Sequence, residues 1–231
     1  YSQSARAIPY LRRKVRRALA AASFDPRSHD GKALTNILDT FPRDELFQID
    51  EQTLLDTAMG ILHLQDRQRT ALFTRRDPFG RFVSALVYVP RDRFDTALRR
   101  RIQALLEQAF DGRVSDFFSQ LTEGVHARVQ YIVQLDPRTR RVPDAAELEA
   151  QVAEMAKTWG DRLKSALIEA LGEGRGVELA EAYAEAFPLA YQEHTAAERA
   201  VGDVERLEQV DAARDINLNL YREPEAAEHE V

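Results

Sequence analysis

The run RFVSALVYV, Arg81–Val89, constrains this chain more than any other stretch. If it is extended, Phe82, Leu86 and Tyr88 share one face, and Val83, Ala85, Val87 and Val89 share the other. A half-buried antiparallel strand alternates apolar with polar residues, and this one is apolar on both sides. Both sides must therefore be covered. Burying three or four such side chains is worth roughly 5–10 kcal/mol, too much to leave in water. The predicted packing strand is thus a central one, and its second cover is a neighbouring sheet, the N-terminal helices or a later helical segment.

The flanking sequence supplies the candidate partners. IPYLRRKVRRALAAASF reads as a basic helix with Leu11, Val15, Ala18 and Leu19 on one side, and Ser28 caps a second helix that Pro42 stops. DELFQI, residues 44–49, reads as a short strand, followed by a helix carrying Leu54, Ala58 and Ile61. Strands follow at 69–76 and 81–89, joined by Asp77-Pro78-Phe79-Gly80, where Pro presets φ and Gly accepts φ > 0. A helix over 94–110, capped by Asp92 or Asp95 and ended by Gly112, leads to strands at 113–121 and 126–135.

The order from 44 is β-α-β-β-α-β plus one strand: an α+β, ferredoxin-like antiparallel module with two helices on one face. The expected organisation is N-terminal helices over 1–43, the module over 44–136 and a helical segment over 144–213. Residues 214–231 are the start of a following domain or an acidic tail. The helical segment divides into helices over 144–171, 176–190 and 195–213, after which DINLNLY resumes a strand pattern. With Tyr1 first and a strand near its end, the chain reads as a piece of something longer.

Composition removes several function classes. There is no cysteine, so no disulfide, thiol nucleophile or cysteine metal site. No run approaches a membrane span, and a cytoplasmic location is expected. The net charge of −6 hides a balance of +7 over residues 1–143 and −13 over 144–231, which suits mutual attraction within one assembly better than nucleic-acid binding. An RNA-recognition module shares the βαββαβ order, but Ser84 stands where a second base-stacking ring is needed. The five histidines have no metal-ligand spacing, and neither a His-Glu-x-x-His nor a Gly-x-Ser-x-Gly motif occurs. GEGRG, residues 172–176, follows a helix where a phosphate-cradling loop would follow a strand, so it reads as a helix stop. Arg75, Arg76 and Arg81 flank the hairpin turn as a solvated rim or as weak anion or effector contacts.

Three stretches, IPYLRRKV, SHDGKALTNILDTFPRDELFQI and RRDPFGRFVSALVYVPRDRFDTALRRRIQ, resemble the N-terminal, non-catalytic region of the large bacterial NAD-specific glutamate dehydrogenases. TWGDRLKSALIEALGEGRG and YAEAFPLAYQE are similar to that family's helical stretch just downstream. The resemblance implies an ACT-like domain inside a parent enzyme that deaminates L-glutamate to 2-oxoglutarate with NAD. It implies partners in other domains of the same chain and in homo-oligomer subunits, and it makes DINLNLY resemble the entry strand of a next ACT-like domain. Lys14, Lys32, Lys157 and Lys164 do not sit in the family's catalytic motifs, so catalytic, cofactor and metal residues are expected to be absent here. The expected role is regulatory or scaffolding. The alternatives are an amino-acid-sensing ACT module with an amino-acid effector and, behind it, an RNA-binding ferredoxin-like module. Against effector binding, ELFQIDEQTLL lacks the glycine turn that effector-binding ACT domains place after their first strand.

Overall fold

The computed structural model describes residues 5–64, 68–121, 124–136, 138 and 141–210. It divides into two compact units, one through Ala156 and one from Lys157. The first unit opens with helices. α1 (Pro9–Ala22) starts on proline and turns Leu11, Val15 and Ala18 inward. α2 (His29–Thr40) is capped by Ser28, whose Oγ accepts from the Gly31 N–H at 3.0 Å. A Cβ at Gly31 would lie 2.1 Å from the Asp25 carbonyl oxygen, so glycine lets the preceding loop close onto this helix.

Residues 44–49, expected as a strand, are instead helical: α3 spans Arg43–Gln48. Leu46 and Ile49 are buried at a spacing that suits a helix, and six residues of pattern do not tell helix from strand. Tertiary contact decides it. Lys14 of α1 reaches the end of α3, and its Nζ donates to the carbonyls of Leu46 (2.9 Å), Phe47 (3.3 Å) and Ile49 (2.6 Å). Those carbonyls, left over at a helix end, gain a cation. α4 (Glu51–Leu64) follows.

Strands β1 (Ala71–Arg76) and β2 (Phe82–Pro90) form a hairpin, α5 (Thr96–Phe110) crosses over, and β3 (Gly112–Leu121) and β4 (His126–Leu135) form a second hairpin before α6 (Ala145–Met155). All pairs are antiparallel in the order β1-β2-β4-β3. Asp95 caps α5, accepting from the Leu98 N–H at 2.6 Å. Its end is not Gly112 as expected. Asp111 takes the left-handed conformation at φ 49°, and Gly112 begins β3, where a Cβ would meet the Gln134 carbonyl oxygen at 2.5 Å.

The module is therefore ββαββα from Ala71, not βαββαβ from residue 44. The two orders are related. Joining the end of α6 to the start of β1 would regenerate β-α-β-β-α-β, so the sheet keeps a ferredoxin-like layout with one edge strand supplied from the front of the chain. α6 lies along that edge, where the Leu72 N–H donates to Glu149 Oε2 at 2.9 Å and a ladder donor is satisfied.

The covers of β2 also differ from expectation, because α4 and α5 lie on opposite faces. Val83, Ala85, Val87 and Val89, with Val129, Tyr131 and Val133 of β4, pack against α5 and α6. Leu86 and Tyr88, with Ala71, pack against α1, α2 and α4 through Leu11, Leu34, Leu38 and Leu54. Both sides of the strand are thus filled by helices of the same unit, with Phe82 at its end half-buried.

The second unit is helical: α7 (Trp159–Leu171), α8 (Glu173–Tyr183), α9 (Leu189–His194) and α10 (Ala197–Leu207). The single helix expected over 144–171 is broken, because Thr158 and Asp161 form a capping box that starts α7 afresh. The helix expected over 176–190 is likewise two, α8 and α9, split at Pro188. Gly172, at φ 83°, separates α7 from α8, and the remainder of GEGRG lies inside α8. Leu163, Leu167, Leu179, Ala200 and Val204 form the core of this unit. The expected strand DINLNLY and the tail over 214–231 lie outside the described residues.

Candidate functional site

The hairpin arginines come to one end of the sheet but not to one site. Arg75 pairs with Ser84 and Arg76 with Val83, so their side chains leave on opposite faces. Arg75 is largely buried against Glu45 of α3. Its Nε donates to Glu45 Oε1, and its Nη2 reaches Glu45 Oε2 at 3.1 Å and Gln48 at 3.3 Å. Arg81 forks onto Asp77 at 2.9 and 3.0 Å, with its guanidinium 5.1 Å from the Phe79 ring centre. The hydrogen bond from Arg81 holds the Asp77 carboxyl down at about 2. The Phe79 and Arg81 N–H groups also donate to it, so Asp77 is the latch of the turn.

The two faces of the sheet are finished differently. Under α5 and α6 the β2–β4 surface is apolar throughout, and its one deep hydroxyl, Tyr131, donates to the Arg99 carbonyl at 3.1 Å. Burial pushes the Tyr131 phenol up, against the pull of the Arg99 charge. On the other face the N-terminal helices cover β1 and β2, while β4 there presents His126, Arg128 and Gln130, all buried. Each has a partner. His126 Nε2 lies 3.0 Å from the Arg69 carbonyl, Gln130 donates to Ser84 Oγ at 3.1 Å, and Arg128 donates to Gln120 Oε1. Arg128 also lies beside the Tyr88 hydroxyl, whose pKa burial raises and the arginine charge lowers.

Between α3 and the β4–β3 half of this face runs a groove of about 650 Å³, floored by Arg128, Gln130 and Ile132 and walled by Phe82 and Phe118. It adjoins a second hollow of about 540 Å³ under the hairpin turn, sharing Gln48, Phe82 and Ile132. Beyond it, β3 is the outer edge strand, exposed from Ser115 to Gln120.

Sequence reasoning missed Lys14, Glu45, Arg128 and Gln130. In HARVQYIVQL the polar residues alternate with apolar ones as they would on a solvated face, and only the depth of their burial separates His126, Arg128 and Gln130 from one. Among the described residues, no group of His, Asp or Glu could hold a metal ion, and no helix is long and apolar enough to cross a membrane. The glycines of GEGRG do not fit a dinucleotide cradle. They follow α7 and not a strand, and a Cβ at Gly176 would lie 2.5 Å from the Ile168 Cα, so that glycine serves helix packing.

Comparison with known proteins divides the chain along the same lines. Residues 8–67, spanning α1–α4, match the model described as glutamate dehydrogenase, helical motif 1. Residues 71–160, from β1 through α6, match glutamate dehydrogenase, ACT2 domain, and residues 166–210 match helical motif 2. The NAD-specific glutamate dehydrogenase of Halomonas elongata is 41% identical over 222 residues, 96% of this chain and 14% of that protein. Those of Pseudomonas aeruginosa and Mycobacterium tuberculosis are 36% identical over 222 residues and 34% over 209, covering 96% and 85% of this chain. The chain spans only 13–14% of the length of these relatives. It belongs to the NAD-specific glutamate dehydrogenase family, of which it carries the ACT-like domain between two helical motifs.

Proposed function

We propose that this segment is a non-catalytic regulatory or scaffolding part of an NAD-dependent glutamate dehydrogenase. The parent reaction is oxidation of L-glutamate with NAD and water to 2-oxoglutarate, ammonium and NADH, and other domains of the chain perform it. The single observation that carries this reading is the sheet strand β2, whose two faces are both filled by the segment's own helices. Its apolar surface is spent on holding the fold, and the buried polar residues of β2 and β4 bond to one another, to Gln120 of β3 or to backbone. The partners we assign are other domains of the same chain and further subunits of a homo-oligomer, in the cytoplasm.

The test is an assay of purified residues 1–231 for glutamate-dependent NAD reduction. No turnover is expected, and measurable turnover by this segment would refute the reading. In the full-length enzyme, Val87→Asp places a charge in the closed core and is expected to weaken assembly or activity together with thermal stability. An enzyme that keeps assembly and activity despite a melted segment would deny it a scaffolding role.

A further inference from the structure

Arg128 differs from Arg75 and Arg81, at the hairpin end of the same sheet, in having no counter-charge. Arg75 is neutralised by Glu45 and Arg81 by Asp77. Among the described residues Arg128 makes no ion pair, and the groups at its guanidinium are the Gln120 amide oxygen and the Tyr88 hydroxyl. The residue is only 7% exposed, so it keeps a charge in a poorly hydrated place without a carboxylate beside it. Its opening to solvent is the floor of the α3 groove. Each of its nitrogens is either bonded or open to solvent, and the residue lines that groove.

A recessed planar guanidinium with spare N–H groups is suited to a carboxylate, which it can hold through two parallel bonds. The rest of the groove narrows the class. Phe82, Phe118 and Ile132 offer apolar wall and floor, and about 650 Å³ is the size of small-molecule sites in general. Asp44 and Asp116, both exposed, line the groove with the half-buried Arg43, and this excess of one negative charge opposes a second negative charge on the ligand. We propose that this groove binds a small organic monocarboxylate with an apolar body, its carboxylate on Arg128 and its body against Phe82 and Phe118. Phosphate and dicarboxylates are disfavoured by the rim.

The test titrates the whole 231-residue chain with phenylacetate, phenylacetamide and inorganic phosphate, following backbone amides by NMR. Phenylacetate is expected to saturate in the millimolar range or tighter, as its few heavy atoms allow, with the largest shifts at Phe118, Gln120, Arg128 and Gln130. Phenylacetamide keeps the body and loses the charge, and it should bind about 10-fold or more weakly. Phosphate should not saturate. Arg128→Lys, which keeps the charge but loses the fork, should weaken phenylacetate about 10-fold. If that variant does not fold, Asp116→Asn on the exposed edge strand decides, because removing a rim charge should tighten phenylacetate by about twofold. The proposal is overturned by an absence of saturable phenylacetate binding, by equal affinity for phenylacetamide, or by an Asp116→Asn affinity unchanged or weaker.

Discussion

The two faces of one four-stranded sheet follow opposite rules. On the α5–α6 side, every inward position of β2 and β4 from Val83 to Val89 and from Ala127 to Val133 is apolar or a satisfied tyrosine. On the other side, the N-terminal helices cover apolar residues of β1 and β2, while β4 carries arginine, glutamine and histidine beside Ile132. The difference shows that strand composition tracks helix coverage, not strand position, since β2 and β4 are both interior strands. Where a helix lies flat, dispersion and dehydration stabilise the layer. Where it does not, buried polar groups are retained, and each needs a partner.

Substitutions can break or sharpen this contrast. The largest effect is expected at Leu106, fully buried on the closed face, where Leu106→Ala should cost about 2–5 kcal/mol in urea unfolding. Next is the ion pair that fastens α3 to β1. Glu45→Gln strands the largely buried Arg75 and should cost about 3 kcal/mol, whereas replacing both partners by apolar residues should cost far less, a non-additivity that a double-mutant cycle would reveal. Lys14→Met removes three bonds to the end of α3 and should cost about 1–3 kcal/mol by thermal melting, with α1 itself intact by circular dichroism.

The turn latch is weaker and shows itself through pH. The Asp77 carboxyl is depressed from 3.8 to about 2, so the stability it contributes is fully present above its unfolded value and is lost as pH falls through its folded value. Asp77→Asn should cost about 1 kcal/mol at neutral pH and should flatten the fall in melting temperature between pH 3.8 and about 2. The smallest effect belongs to the open half. Phe118, 59% exposed, should tolerate alanine within about 0.5 kcal/mol. A loss there rivalling Leu106→Ala would mean that the two halves are not packed differently after all.

Much of this was legible before any coordinates. The doubly apolar strand, its Asp77–Gly80 turn, the Ser28 and Asp95 caps and four of the five strands expected before Pro137 rest on local chemistry that reaches only a few residues. The capping box at Thr158-Trp159-Gly160-Asp161 was equally local, yet the long apolar repeat around it masked the break. The fifth strand failed for a different reason. DELFQI carries no decisive period, and what makes it α3 is Lys14, more than thirty residues upstream. The groove was hidden for the same reason, since Arg128 and Gln130 alternate with valine and tyrosine as solvated residues do.

By itself, then, the sequence determined that one strand must be dry on both sides, where its hairpin turns and which helices begin at a capped residue, because these depend on side-chain period and nearby hydrogen bonds. Which helices supply the two covers, from which end of the chain the edge strand arrives, and which polar residues of β4 lose their water were decided only in tertiary structure. Coverage is a property of elements distant in sequence, and burial changes the meaning of an arginine without changing its letter.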